Sequence, residues 1–267
     1  MKPTTTNTTT NTTTNTTKNS AQEVKTRHKG RRAPILINDM SPFMIKEAYK
    51  AARANINFAL TGRGGSKRFI VTSSTVGEGK TTTSLNLAIV FAQTKAKVLL
   101  IDADMRKASV HKYLGIKNVS GLSNVLSGFV NLNEVIKKTT HGFDCMTAGP
   151  IPPNPAELLL SEATSELFNT LSEYYDFIII DTPPVAIVSD ALALVDKVDG
   201  TIITIRERHA NHDDLKKTVS ALRFAEAKIL GFILNDASGE DGTYKYNYKY
   251  RYRKTYKYYD YDYSYGE

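Results

Sequence analysis

One run constrains this chain more than any other: Ile70-Val71-Thr72-Ser73-Ser74-Thr75-Val76-Gly77-Glu78-Gly79-Lys80-Thr81-Thr82. Apolar and β-branched residues lead into a loop with two glycines, and the loop opens onto a helical pattern at Lys80. Strand, tight loop and helix start in that order aim main-chain amides and the positive end of a helix at one small space, which suits phosphate. Lys80 then reaches the terminal phosphate, and the Thr81 hydroxyl suits Mg²⁺. Gly77, Glu78, Gly79, Lys80, Thr81 and Thr82 are therefore the expected nucleotide-binding residues, with ATP and Mg²⁺ as ligands. Ser74 stands where the strict phosphate-loop pattern has its first glycine; a small residue can still make the turn.

Beyond this run, short apolar stretches alternate with helical patterns. The spacing predicts strands over residues 68–73, 97–102, 177–181, 200–205 and 228–234. It predicts helices over 81–94, around 122–126, and over 157–174, 189–195 and 213–225. A further amphipathic helix starts at Ser41, as N-cap, with Pro42 at its first position; its polar side carries Glu47, Lys50 and Arg53, spaced by three and so close together on the surface. Alternation of this kind predicts an α/β fold, a mainly parallel sheet with helices on both faces, and the phosphate loop places it among P-loop NTPase folds. Ligands of such sheets sit at the carboxyl ends of the strands.

Two acidic motifs begin at those ends. Val98-Leu99-Leu100-Ile101-Asp102-Ala103-Asp104-Met105-Arg106 is an apolar strand followed by two acids, which in extended geometry face the same way toward one metal–phosphate site. Phe177-Ile178-Ile179-Ile180-Asp181-Thr182-Pro183-Pro184 delivers another aspartate to the same sheet edge, placed to hold Mg²⁺ directly or through water.

The ends of the chain differ from its body. The formal net charge is +8, but residues 1–34 carry +6 and residues 243–267 carry +3, which leaves residues 35–242 at −1. The body thus gives no electrostatic reason to expect nucleic acid. Thr4 to Thr17 is almost wholly Thr and Asn and has nothing to bury, so residues 1–34 are expected to be a disordered tail, with 35–239 as the folded domain. Eleven of fifteen tyrosines lie in residues 240–267, at Tyr244, Tyr246, Tyr248, Tyr250, Tyr252, Tyr256, Tyr258, Tyr259, Tyr261, Tyr263 and Tyr265. With hardly an aliphatic residue among them they form no core of their own. A docked edge strand, or stacking on bases by aromatics flanked with Lys and Arg, fits the pattern, but the leading reading is phosphoryl acceptors on a flexible tail that can enter an active site in extended form. A lone Cys145 and a start without an apolar run predict a cytoplasmic protein.

Together these motifs resemble the bacterial tyrosine kinases that control capsule and exopolysaccharide synthesis, in the cytoplasmic form that works with a separate membrane-embedded activator. The resemblance spans roughly residues 35–267 and includes Gly149-Pro150-Ile151-Pro152-Pro153-Asn154-Pro155-Ala156-Glu157-Leu158-Leu159, similar to that family's proline-rich segment. It implies that Asp102 and Lys80 are catalytic, Asp102 accepting the phenolic proton and Lys80 stabilising the transferred phosphoryl group. It further implies that Thr81, Asp104 and Asp181 hold Mg²⁺ or its waters, that Arg106 supports the acidic motif and that Asn235 meets adenine. The family's Glu-Arg-Arg surface motif of ring-like self-association is matched by Glu47, Lys50 and Arg53, with lysine in the middle losing bidentate pairing. A homo-oligomeric ring, a transmembrane activator that recruits the chain to the inner face of the membrane, and a cognate phosphatase are the partners this implies.

Two other functions fit parts of the sequence. A partition or positioning ATPase of the same P-loop branch shares both acidic motifs but carries an extra lysine early in the loop, where this chain has Thr75. A non-catalytic, ATP-regulated scaffold would use the tail for binding alone.

Overall fold

The computed structural model describes residues 36–62 and 64–237. The tyrosines from Tyr244 to Tyr265 and the expected tail of residues 1–34 lie outside the described residues. Among those described, the chain runs α1 (Phe43–Ala59), β1 (Lys67–Ser73), α2 (Lys80–Ala92), β2 (Val98–Asp102), α3 (Val110–Leu114), α4 (Leu122–Leu126) and α5 (Leu132–Val135). It continues through β3 (Ile136–Lys138), β4 (Asp144–Met146), α6 (Pro155–Leu160), α7 (Glu162–Ser172), β5 (Phe177–Asp181), a 3₁₀ helix (Leu192–Lys197), β6 (Gly200–Arg206), α8 (His212–Phe224) and β7 (Ile229–Asn235). The seven strands form one sheet in the order β3-β4-β2-β5-β1-β6-β7. Every pairing is parallel except β3 with β4.

Strand alternation divides the core between the two faces. Phe69 and Val71 of β1, Val98 and Leu100 of β2, and Phe177 and Ile179 of β5 pack on one face with Leu85, Leu87 and Phe91 of α2 and Ile56 of α1. Leu99, Ile101, Ile178 and Ile180 face the other way, onto Leu122, Leu159 and Phe168. A third cluster joins Ile203 of β6 to Leu222 of α8 and Val195 of the 3₁₀ helix. Helix α2 is buried almost all round because the sheet lies on one side and α1 on the other. Phe91 anchors its far end, with its ring centroid 4.3 Å from that of Phe177 and 5.9 Å from that of Phe69. This packing holds the start of α2, and hence Lys80, in a fixed place over the sheet edge.

Several expectations change. Helix α1 starts at Phe43 rather than Pro42, and Ser41 does not cap it: Ser41 Oγ accepts from the Asn38 amide at 3.0 Å, closing a turn before the helix. Lys50 pairs with Glu47 at 2.8 Å, but Arg53 turns inward and donates to the Val90 carbonyl of α2, so the three do not form one surface cluster. The expected 157–174 helix is two helices that part at Ser161, where ψ is 156°. The segment expected as a helix over 189–195 is the 3₁₀ helix, shifted later. Helices α3 and α5 and strands β3 and β4 were not expected, and β4 lies beside β2 within the sheet.

Candidate active site

The loop after β1 turns on two glycines in the left-handed region, Gly77 at φ 92° and Gly79 at φ 90°. Any side chain at Gly79 would also collide with Asn235, whose Nδ2 lies 2.0 Å from where a Cβ would sit. Thr83 N–H makes the first intrahelical bond, to Gly79 O at 2.9 Å, so the amides of Lys80, Thr81 and Thr82 precede the helix ladder and are available to a ligand. An oxyanion is the ligand that this arrangement fits.

The acids reach this place by strand register. Asp102 and Asp181 are Cα partners across β2 and β5, and each continues the alternation of the residues that face α2. Asp181 is fully buried; its Oδ2 accepts from Thr81 Oγ1 at 2.6 Å and its Oδ1 from Ser84 Oγ at 3.1 Å. Thr81 Oγ1 also meets Ser109 Oγ at 3.0 Å. Lys80 Nζ donates to Asp104 Oδ2 at 2.8 Å, with both side chains nearly buried. Asp102, equally buried, accepts the amides of Ser109 and Val110 on Oδ2, both at 3.0 Å, and that of Asp104 on Oδ1 at 3.2 Å. The two acids of the first motif therefore have different partners. β2 ends at Asp102, so the two-residue repeat that would align Asp104 with it no longer applies.

Charge is crowded here. Burial and then the Asp181 charge push the Asp102 carboxyl up to about 7, against the pull of the Val110 amide, Lys80 and the Ser109 amide. Asp181 is raised as well, chiefly by burial, although Lys80 and the Thr81 and Ser84 hydroxyls oppose the rise. Burial alone would lower the Lys80 ammonium, but Asp181, Asp104 and Asp102 outweigh it and the net shift is upward. Three carboxylates face one ammonium, a balance that a divalent cation would restore. The donors near α2 are all oxygens, as Mg²⁺ requires. Among the described residues no cluster of three or more His, Cys, Asp or Glu is arranged to hold a metal unaided.

Other residues brace the loop. Asn235 Nδ2 lies 3.1 and 3.3 Å from the carbonyls of Glu78 and Gly79 and 3.3 Å from Thr83 Oγ1, so its amide is turned to the loop. His209 Nε2 lies 3.1 Å from Val76 O, and Arg206 reaches Gly77 O at 3.4 Å while pairing with Asp236. Arg106 forms a bidentate pair with the fully buried Asp190, at 2.9 and 3.0 Å, tying the loop after β2 to the segment before the 3₁₀ helix. Sequence reasoning missed Ser84, although its helical spacing from Thr81 is a signal that could have found it. Ser109 and Asp190 carried no local signal.

The AAA domain family matches residues 67–229. Tyrosine-protein kinase YwqD of Bacillus subtilis is 42% identical over 190 residues, which cover 71% of this chain and 80% of YwqD. The chain belongs to the bacterial tyrosine kinases. Among solved structures of this family, the chimerical protein CapA2B2 is similar at a TM-score of 0.70 and 37% identity, over 74% of this chain and 86% of that one. The kinase domain of Escherichia coli tyrosine kinase ETK gives a TM-score of 0.69 at 34% identity, over 75% and 82% of the two chains. More distant is the septum site-determining protein MinD of Pyrococcus horikoshii, complexed with Mg-ADP, at a TM-score of 0.54 and 27% identity over 63% and 70%. The bacterial tyrosine kinases and MinD thus share a P-loop fold, and this chain is nearer the kinases.

Proposed function

We infer that this chain is an ATP-dependent protein-tyrosine kinase of a capsular or exopolysaccharide system, and that it phosphorylates tyrosines between Tyr244 and Tyr265 on a neighbouring copy. The reading rests above all on the gathering of Lys80, Thr81, Asp104, Asp102 and Asp181 beside one phosphate-shaped loop. Residues 35–239 are the kinase domain in this reading and 240–267 the acceptor tail.

The triphosphate lies against the amides before the α2 ladder, and Lys80 turns from Asp104 toward the γ-phosphate. Mg²⁺, when bound, offsets charge on the β- and γ-phosphates, and Thr81, Asp181 and Asp104 offer it hard oxygen ligands. The phenolic oxygen bonds to the γ-phosphorus as the bond from that phosphorus to the β–γ bridging oxygen breaks, and the phenolic proton passes to Asp102. A carboxylate held near 7 suits that transfer at neutral pH. Main-chain amides place two bonds on Asp102 Oδ2 and a single one, at 3.2 Å, on Oδ1, so Oδ1 keeps a lone pair for the phenolic proton.

Transfer between copies requires assembly, to which Glu47 and Lys50 contribute on the outer side of α1, while Arg53 is turned to the Val90 carbonyl. Each phosphotyrosine adds about −1.5 to −2 charges, so even three reverse the tail's positive charge and disfavour assembly until a phosphatase removes them. In this reading a transmembrane activator, which the family resemblance implies, brings the chain to the inner membrane face. The test mixes a chain truncated after residue 239 with full-length Lys80→Met and Mg-ATP: phosphotyrosine is expected on the Lys80→Met tail. A tail left unmodified beside an intact site refutes transfer between copies.

A further inference from the structure

Glu78 sits between the two left-handed glycines of the phosphate loop, yet its side chain is buried, with 1% exposure for the residue. The reversal at Gly77 and Gly79 folds it back on the loop it belongs to. Oε2 accepts the amide of Ser74 at 2.7 Å and that of Thr75 at 2.9 Å. Its Oε1 is buried with no hydrogen-bond partner. A negative charge beside a triphosphate site opposes phosphate binding, and burying it is costly unless hydrogen bonds compensate it, as the Ser74 and Thr75 amides do here.

We propose that Glu78 is a positioning residue whose carboxylate binds the loop's own first amides and so fixes the loop in its phosphate-binding shape. Two successive amides directed at one oxygen make a small anion nest, filled here from within the chain. The loop's donors are thereby divided: those of Ser74 and Thr75 hold Glu78, and those of Lys80, Thr81 and Thr82 remain for the nucleotide. The arrangement also accounts for Ser74 in place of the first glycine of the usual pattern, because the carboxylate four residues on holds the turn. From outside, Asn235 Nδ2 grips the Glu78 and Gly79 carbonyls, so the same peptide is fixed by its side chain and by its main chain. The Glu78 side chain thus supports the nucleotide by shaping the loop rather than by touching it.

This inference rests on the nucleotide reading of the site but not on the tyrosine chemistry, and its test measures binding alone. Calorimetric titration of the full chain with Mg²⁺ and a non-hydrolysable ATP analogue, alongside the melting temperature, compares wild type, Glu78→Ala and Glu78→Gln. Alanine removes the acceptor, and since bonds to a charged acceptor are among the stronger ones, Kd is expected to rise on the order of tenfold or more. Glutamine keeps an acceptor oxygen and loses the repelling charge, so it should bind as wild type does or more tightly. The proposal is overturned if alanine binds the analogue as wild type does, if glutamine is as weak as alanine, or if both variants lose melting temperature with Kd unchanged. Normal binding with an unmodified tail would sink the kinase reading and leave this inference standing.

Discussion

Asp102→Asn separates what Asp102 costs the fold from what it contributes to chemistry. Asp102 is fully buried beside Asp181 and raised from an ordinary carboxylate value to about 7. Between pH 4 and 7 the folded chain therefore holds a proton that the unfolded chain releases. The stability this proton confers is complete below about pH 4 and is lost as pH rises through about 7. Linkage over roughly three pH units gives a loss of about 4 kcal/mol by pH 8, of which about 2 kcal/mol falls between pH 5.5 and 8. Asparagine stays neutral and still offers one oxygen to the Ser109 and Val110 amides, but gives up the Asp104 amide, at about 1 kcal/mol. The variant should therefore exceed wild type by about 3 kcal/mol at pH 8 and by about 1 kcal/mol at pH 5.5. Urea unfolding without nucleotide and with a chelator reads both values, while tail phosphorylation by the same variant should fall by about 10²- to 10⁴-fold. Parallel pH profiles for the two proteins, or a variant less stable at pH 8, would refute the electrostatic account.

Arg106→Ala strips the bidentate partner from buried Asp190 and should cost about 2 kcal/mol, below the 3–5 kcal/mol of a fully buried pair because the Arg106 side chain is 44% exposed. In a double-mutant cycle, Arg106→Met with Asp190→Leu should recover most of that loss. Gly79→Ala combines a left-handed backbone that costs about 1–2 kcal/mol with a collision on Asn235; it should abolish calorimetric binding of the ATP analogue, and Asn235→Ala added to it should restore a part. Phe91→Ala, which hollows the contact beneath the far end of α2, should destabilise the domain by about 3–5 kcal/mol in urea.

The strands that carry the chemistry were legible because each is an apolar run that ends on a distinctive residue. Phe177 to Ile180 leads to Asp181 with the bounds expected, and Leu99 to Ile101 leads to Asp102 within a residue. Strands β3 and β4 are three residues each, too short for periodicity to register, although β4 is needed to cover β2. The break at Ser161 has neither glycine nor proline to mark it and follows from local bonds, with Ser161 Oγ and Thr164 Oγ1 both donating to Leu158 O. Within the site, residues at strand ends could be placed together from the sequence because sheet geometry gathers such ends. The partners chosen by individual side chains could not. Arg53 bonds across 37 residues to Val90, Arg106 across 84 to Asp190 and Asn235 across more than 150 to the loop, and no local pattern encodes these pairings. Glu78 is local, but only the two positive-φ glycines reveal that its side chain folds inward.

Intact-mass and phosphopeptide mapping of the purified full chain after incubation with Mg-ATP and its activator, beside Lys80→Met treated identically, addresses the central claim most directly. Added phosphate confined to tyrosines between Tyr244 and Tyr265 in wild type, and absent from Lys80→Met alone, is the predicted result. ATP turnover with every one of those tyrosines unmodified, or equal modification of both proteins, would contradict it.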